Sequence, residues 1–110
     1  MLIDICKAED IPLPELEVKV AGLTVDAYWP RERVAVELDG YRGHRSRERF
    51  ERDRGRDVRL RGVGVLPIRY TGRQLKYQRG QVARDLKLAL TWVTSRELIG
   101  PSRDWPAGSG

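Results

Sequence analysis

The sequence predicts an α/β domain built on a mixed four-stranded sheet flanked by helices, and three observations lead to this fold class. Apolar and polar residues alternate in three consecutive segments, which is the pattern of half-buried antiparallel strands. A charged segment with helical periodicity, residues 46–61, follows the third of them. A short apolar run, VLPIRY, then comes next. A helical crossover joins parallel strands, so the sheet should be an antiparallel meander with a parallel fourth strand.

The N-terminal part of the chain predicts a short helix and the first strand. Apolar residues recur at helical spacing within residues 2–10, and two prolines bar the helix from continuing. Residues 15–20 (ELEVKV) alternate as an exposed strand does. The Ala21-Gly22 pair is a suitable tight turn into a second strand, so the first two strands should form a hairpin.

The second and third strands, residues 23–29 and 34–39, should form a hairpin whose register matches their apolar faces. The residues predicted to share one face are Leu23, Val25, Ala27, Trp29, Val34, Val36 and Leu38. This register sets Asp26 opposite Glu37, with Asp39 further along the same face. Because opposed like charges are destabilising, these carboxylates need a cation, a shared proton or a basic partner. The alternative is a polar sheet face exposed to solvent.

The segment from residue 42 to residue 61 holds nine arginines and four acidic residues, an excess of +5 that equals the net charge of the whole 110-residue chain. Ser46 is a suitable N-cap for a helix that ends near Arg61. The arc predicted to face the sheet contains Phe50, Asp53, Asp57 and Leu60. Arginine binds phosphate in a bidentate manner, so the segment indicates a nucleic-acid partner. A solvated, salt-bridged helix face is the alternative.

The last predicted elements are a fourth strand at residues 65–70, a capping box between Thr71 and Gln74, and an amphipathic helix at residues 81–94. We therefore predict a single domain over residues 1–95 and a loop-like or disordered tail over residues 96–110. The chain has one cysteine, no apolar run long enough to span a membrane and no signal-peptide pattern at its start. These features predict a cytoplasmic protein without a membrane partner.

Several of these segments together resemble a known nuclease core. VDAYWP, VAVELDGYRGH, FERDRGRDVRL and VLPIRY, within residues 12–93, resemble the PD-(D/E)XK nuclease superfamily, which has a restriction-endonuclease-like core. More closely, they resemble a branch related to the very-short-patch-repair (Vsr) endonucleases. The resemblance implies that Asp26 and Glu37 are metal ligands for Mg²⁺ or Mn²⁺ and that His44 is a general base. It also implies that Asp53 is a helix acid near the site, and that Asp39 stands in the catalytic set where the superfamily usually has lysine.

The function implied is a metal-dependent DNA endonuclease or nickase that hydrolyses phosphodiester bonds, in DNA repair or defence, with double-stranded DNA as its partner. Arginines near the start of the basic segment would clamp the DNA backbone; they are Arg42, Arg45, Arg47 and Arg49. Lys19, on the neighbouring strand, could supply the missing ammonium from a displaced position. The alternatives are a non-catalytic nucleic-acid-binding module that has kept the fold, and a protein-interaction subunit of a larger complex.

Overall fold

The computed structural model describes residues 1–39 and 47–99, with residues 92–99 described through their backbone. It contains four helices and four strands in these ranges. In chain order they are α1 (Leu2–Ala8), β1 (Glu15–Val20), β2 (Leu23–Trp29), β3 (Val34–Asp39), α2 (Arg47–Gly62), β4 (Leu66–Thr71), α3 (Gly72–Tyr77) and α4 (Arg79–Ile99).

The strands form one sheet in the order β1-β2-β3-β4. β2 is antiparallel to both β1 and β3, whereas β4 is parallel to β3 and is reached through the crossover helix α2. The predicted fold class is therefore confirmed. Ala21 and Gly22 form the first hairpin turn with positive φ angles of 54° and 80°, the conformation that is preferred in two-residue hairpin loops. The predicted register of the second hairpin is also confirmed where Trp29 pairs with Val34.

One face of the sheet carries the main hydrophobic core. Trp29, Val34 and Val36 pack there with the apolar side chains of α1 and α4, such as Ile5 and Leu86, all of them almost fully buried. The Trp29 indole Nε1 donates a hydrogen bond of 2.7 Å to the Pro12 carbonyl oxygen, which fixes the α1–β1 connection over this core. This face is a mainly apolar layer that stabilises the sheet by burial.

The other face of the sheet is covered by α2 and has a smaller core. Val25, Ala35, Leu60 and Val65 form a buried cluster at one end of this face. Leu60 is the only residue of α2 that is buried, because most of the helix is charged. Towards the N-terminus of α2 the contacts between helix and sheet are polar, so the two faces differ in kind.

The prediction that all apolar residues of the second strand share a face is wrong. Ala27 packs in the main core, but Val25 packs in the cluster under α2, so the alternation of side chains changes phase between them. The partner strand has its irregularity at the same level, because Glu17 in β1 adopts a positive φ of 51°. A residue in this conformation interrupts a regular strand. Because of this phase change, the apolar side chains at the start of β2, Leu23 and Val25, lie on the α2 side of the sheet.

The last helix is longer than predicted. It begins at Arg79 and continues to Ile99, whereas the sequence predicts a helix over residues 81–94 and a tail from residue 96. Residues 95–99 contain neither glycine nor proline, so nothing in them stops the helix before Gly100. Residues 100–110 lie outside the described part of the chain. Within that part, none of the helices is both long and apolar enough to cross a membrane.

Candidate functional site

The candidate site lies on the α2 side of β3. This strand alternates regularly, so that Ala35, Glu37 and Asp39 all face α2 while Val36 faces the main core. Glu37 and Asp39 are only 6% and 8% exposed. Carboxylates buried to this extent are costly unless they have charged or hydrogen-bonded partners. The identity of those partners therefore defines the site.

The strongest partner of Glu37 is Arg56 on α2. The Arg56 Nη2 and Nε atoms lie 2.6 and 3.0 Å from Glu37 Oε1, so two N–H groups of one guanidinium donate to the same carboxylate oxygen. Nη2 also donates to the Thr24 carbonyl oxygen on β2, at 2.8 Å. Arg56 thus connects the crossover helix with two strands of the sheet, and its charge offsets that of the buried carboxylate.

A second arginine, Arg69 on β4, joins the remaining acids of this region. Its Nη2 lies 2.8 Å from Asp57 Oδ1 and 3.4 Å from Glu37 Oε2, and its Nη1 lies 3.6 Å from Asp53 Oδ1. Nη2 also donates to the Asp53 carbonyl oxygen at 3.2 Å. The structure therefore brings Glu37 and Asp53, two of the predicted site acids, to one guanidinium. Asp57, which the sequence places on the sheet-facing arc of the helix, also pairs with this arginine of β4.

Asp39 lies at the end of β3, nearest the start of α2. Its Oδ1 is 3.6 Å from Nη2 of Arg49, in the first turns of the helix. Arg49 is one of the four arginines predicted to clamp DNA, and this contact turns it towards the acids of the sheet. The two buried acids of β3, Glu37 and Asp39, therefore each contact an arginine of α2.

Asp26 has a different environment from the other predicted acids. Its Oδ2 accepts a hydrogen bond of 2.7 Å from the backbone amide of Leu38. Among the described residues, the β2–β3 ladder runs only from Ala27–Val36 to Trp29–Val34, so the predicted pairing of Asp26 directly opposite Glu37 does not form. The reason is the phase change at Val25, which separates β2 from the end of β3. The carboxylate of Asp26 binds β3 where the ladder has stopped.

The sheet-facing side of α2 also differs from the prediction. Asp53, Asp57 and Leu60 face inward as expected, but Phe50 is 49% exposed, so its predicted inward position is wrong. Arg56 and Arg49 also lie on the sheet-facing side of α2, where they contact the carboxylates of β3. The Phe50 ring stacks loosely with Arg54, whose guanidinium carbon lies 6.0 Å from the ring centroid.

Lys19 does not take the place of the missing lysine on this face. In β1 it pairs with Thr24 of β2 and lies between Val18 and Val20, which both pack on the α2 side of the sheet. Because neighbouring side chains in a strand point to opposite faces, Lys19 is directed to the other side. The cations beside Glu37 are Arg56 and Arg69.

Three of the predicted site residues, namely His44, Arg42 and Arg45, lie outside the described residues. Their roles stay predictions. Arg47, the first residue of α2, is exposed.

Carboxylate oxygens are the donors that a hard divalent cation such as Mg²⁺ prefers, and Mg²⁺ usually takes one or two carboxylates and keeps its waters. Asp26 and Glu37 fit this donor chemistry. Within the described residues, no group of three or more Asp, Glu, His or Cys side chains is arranged to hold a metal ion. Any metal bound to Glu37 would share that carboxylate with Arg56 and Arg69.

No role is predicted from the sequence for Arg56 or Arg69, the two arginines that contact Glu37. The sequence nevertheless contains a signal for one of them. Arg69 is a charged residue between the apolar Ile68 and Tyr70, and the parallel register places it beside Glu37. A buried strand with a charge at its centre, in register with an acid, indicates an ion pair. Arg56 carried no such signal, because it is one of nine arginines in its segment.

Comparison with known proteins supports the fold only. No protein-family model and no curated protein matches the sequence. Among solved structures, the chain is similar to the catalytic domain of the homing endonuclease I-Bth0305I, with a TM-score of 0.68 and 16% sequence identity. The match covers 84% of this chain and 91% of that domain. The chain thus has the fold of an endonuclease catalytic domain.

Proposed function

We propose that this protein is a metal-dependent DNA endonuclease or nickase that hydrolyses phosphodiester bonds in double-stranded DNA. One observation carries the proposal: Glu37 and Asp39 are nearly buried beneath an arginine-rich helix, on a fold shared with the catalytic domain of a homing endonuclease. Burying two carboxylates beside each other costs stability, so a functional reason for keeping them is expected. An adjacent basic helix suits an anionic substrate.

In this proposal Asp26 and Glu37 hold Mg²⁺ or Mn²⁺, with water completing the coordination sphere. A bound divalent ion supplies Lewis-acid stabilisation of phosphate charge and a water of lowered pKa. The hydrogen bond from the Leu38 amide fixes the Asp26 carboxylate, and Arg56 and Arg69 fix that of Glu37. These contacts limit the reorganisation of the two ligands.

The remaining predicted residues have supporting roles in this proposal. His44 acts as general base, since a neutral imidazole can accept a proton. Asp39 and Asp53 add negative charge around the reacting water. Arg42, Arg45 and Arg47 bind the DNA backbone, and Arg49 lies at the boundary between the DNA surface and Asp39.

We further propose that the enzyme acts in the cytoplasm, in DNA repair or defence. A buried cysteine without a disulfide partner, Cys6, is consistent with a reducing compartment. Burial raises the pKa of its thiol, so this residue is a core side chain and not a nucleophile.

The experiment is a plasmid-nicking assay with purified protein. Supercoiled DNA is incubated with Mg²⁺, with Mn²⁺, and with EDTA, and relaxed and linear products are separated by electrophoresis. The proposal predicts cleavage with a divalent ion, none with EDTA, and strong loss of cleavage in Asp26→Ala and Glu37→Ala. Equal cleavage by these variants and by the original chain would refute the assignment of the site.

A second candidate function is a non-catalytic DNA-binding module on the same fold. The observation that favours it is that both oxygens of Glu37 already pair with guanidinium groups. This candidate predicts salt-sensitive DNA binding that is independent of divalent ions. Cleavage of plasmid under any metal condition excludes it.

A further inference from the structure

The Arg56 guanidinium contacts Glu37 in the way that a bound metal cation would contact a carboxylate ligand. Its guanidinium donates twice to one oxygen, Oε1, at 2.6 and 3.0 Å, and it also donates to the Thr24 carbonyl oxygen. These acceptors are a carboxylate oxygen and a backbone carbonyl oxygen, both of which are also hard ligands for a divalent cation. The side chain of Arg56 is 26% exposed and belongs to neither apolar core cluster.

The two arginines at Glu37 differ in what they would lose on leaving it. Arg69 also pairs with Asp57 and Asp53, so its charge stays compensated without Glu37. Within the described residues, Glu37 is the only carboxylate that Arg56 contacts. Arg56 is thus dedicated to this carboxylate, whereas Arg69 is part of a wider structural network.

We propose that Arg56 is a positioning residue that serves as a built-in counter-ion: it holds the Glu37 carboxylate in place before a divalent cation binds, and the cation then competes with it for Oε1. This inference rests on the proposed function, in which Glu37 is a metal ligand. The charge of Arg56 therefore has two opposite effects. It stabilises the buried carboxylate when no metal is bound, and it would weaken metal binding because like charges repel.

A merely structural role for Arg56 makes the opposite prediction. If the residue only holds the site together, removing its charge disorders Glu37 and weakens metal binding. If it competes with the metal, removing its charge strengthens metal binding. The sign of the change in affinity therefore decides between the two roles.

The test is a titration of Mn²⁺ into DNA-free protein, with free Mn²⁺ measured by electron paramagnetic resonance. Arg56→Gln removes the charge but can still donate hydrogen bonds, and Arg56→Lys keeps the charge. Arg54→Gln is the matched control, an exposed arginine of the same helix that is not bound to Glu37. The double variant Arg56→Gln/Glu37→Gln checks that the gained binding is at Glu37.

We expect Arg56→Gln to bind Mn²⁺ at least about tenfold more tightly than the original chain. Arg56→Lys and Arg54→Gln should bind it about equally to the original chain, and the double variant should lose the gain. Unchanged or weaker binding by Arg56→Gln would overturn the inference. If the original chain nevertheless cleaves plasmid in a metal-dependent manner, the proposed function stands and only the inference about Arg56 fails. If no protein cleaves DNA or binds Mn²⁺, both fail.

A second measurement does not depend on the folding of any variant. Nitrogen-15 NMR of the arginine Nε groups is followed while Mg²⁺ is added to the original chain. Competition predicts that the Arg56 Nε signal shifts and its proton exchanges faster with water, while the Arg54 signal is unchanged. An unchanged Arg56 signal at Mg²⁺ concentrations that support cleavage would contradict the inference.

Discussion

The two faces of the sheet are held by different physical interactions. On the face covered by α1 and α4, large apolar side chains such as Trp29 and Leu86 are fully buried in one continuous layer. On the face covered by α2, a small cluster around Leu60 occupies one end and buried acids with arginines occupy the other. Apolar burial contributes most of the folding free energy, whereas buried ion pairs contribute little net stability. The apolar face therefore stabilises the domain, and the charged face is available for function.

The largest expected effect on stability is that of a substitution in the apolar face. Trp29→Ala should lower the free energy of unfolding by about 3–5 kcal/mol, because it leaves a large cavity and removes the hydrogen bond to Pro12. Urea denaturation followed by circular dichroism measures the change. Leu88→Ala, on an exposed part of α4, is the control and should change it by less than about 0.5 kcal/mol. Similar losses in both variants would show that this face is not the stabilising one.

A substitution in the charged face should have a smaller effect on stability. Arg69→Met removes the cation shared by Glu37, Asp53 and Asp57. We expect a loss of about 1–3 kcal/mol in the free energy of unfolding, below that of a fully buried pair because these groups are partly exposed. The same urea titration measures it. A loss larger than that of Trp29→Ala would reverse the contrast between the faces.

A third prediction concerns a polar group inside the apolar face. The Tyr70 hydroxyl donates a hydrogen bond of 3.2 Å to Asp85 Oδ2, and burial, together with the nearby Asp85 carboxylate, raises the pKa of Tyr70. A raised pKa means that the neutral hydroxyl is preferred in the folded state. The stability that it contributes is therefore complete below the ordinary tyrosine pKa of about 10 and is lost as the pH rises above it.

Tyr70→Phe removes this titration along with the hydrogen bond. Near pH 7 it should cost about 1 kcal/mol. Between about pH 10 and 11 the original chain should lose stability more steeply than Tyr70→Phe, so the difference between them narrows. Thermal unfolding across this pH range measures both effects, with the exposed Tyr77→Phe as control. Parallel pH profiles for the original chain and Tyr70→Phe would contradict the prediction.

The smallest expected effect is on the outer surface of the charged face. Arg47→Ala should leave stability unchanged and weaken DNA binding a few-fold, with a decrease of about 1 in the slope of log affinity against log salt concentration. Fluorescence anisotropy with a labelled duplex at several salt concentrations measures the slope. Arg79→Ala, an exposed arginine at the start of α4, is the control. Equal slopes for the original chain, Arg47→Ala and Arg79→Ala would show that Arg47 does not contact the DNA backbone.

The architecture could be predicted from the sequence because its signals are local. The alternation of the third strand, the Ala21-Gly22 turn and the Thr71–Gln74 capping box each depend on a few neighbouring residues, and the structure confirms them. The length of the crossover segment also sufficed to predict the parallel fourth strand.

The details of the site could not be predicted, because they depend on packing between distant elements. The phase change at Val25 follows from a positive φ in the neighbouring strand, at a residue, Glu17, that gives no sign of it in the sequence. On α2, Phe50 is exposed while Arg56 faces the sheet and pairs with Glu37 of β3. A single-helix periodicity places apolar residues inward and cannot include that partner.

The most direct test of the central claim, that the acids under α2 form the reactive centre, is the rate of plasmid nicking by Glu37→Gln. Glu9→Gln is the matched control, because Glu9 is a surface residue that pairs with Lys87 on the other side of the sheet. We predict for Glu37→Gln, at a temperature where it is folded, a rate at least about 100-fold below that of the original chain, and an unchanged rate for Glu9→Gln. Equal rates for the two variants would contradict it.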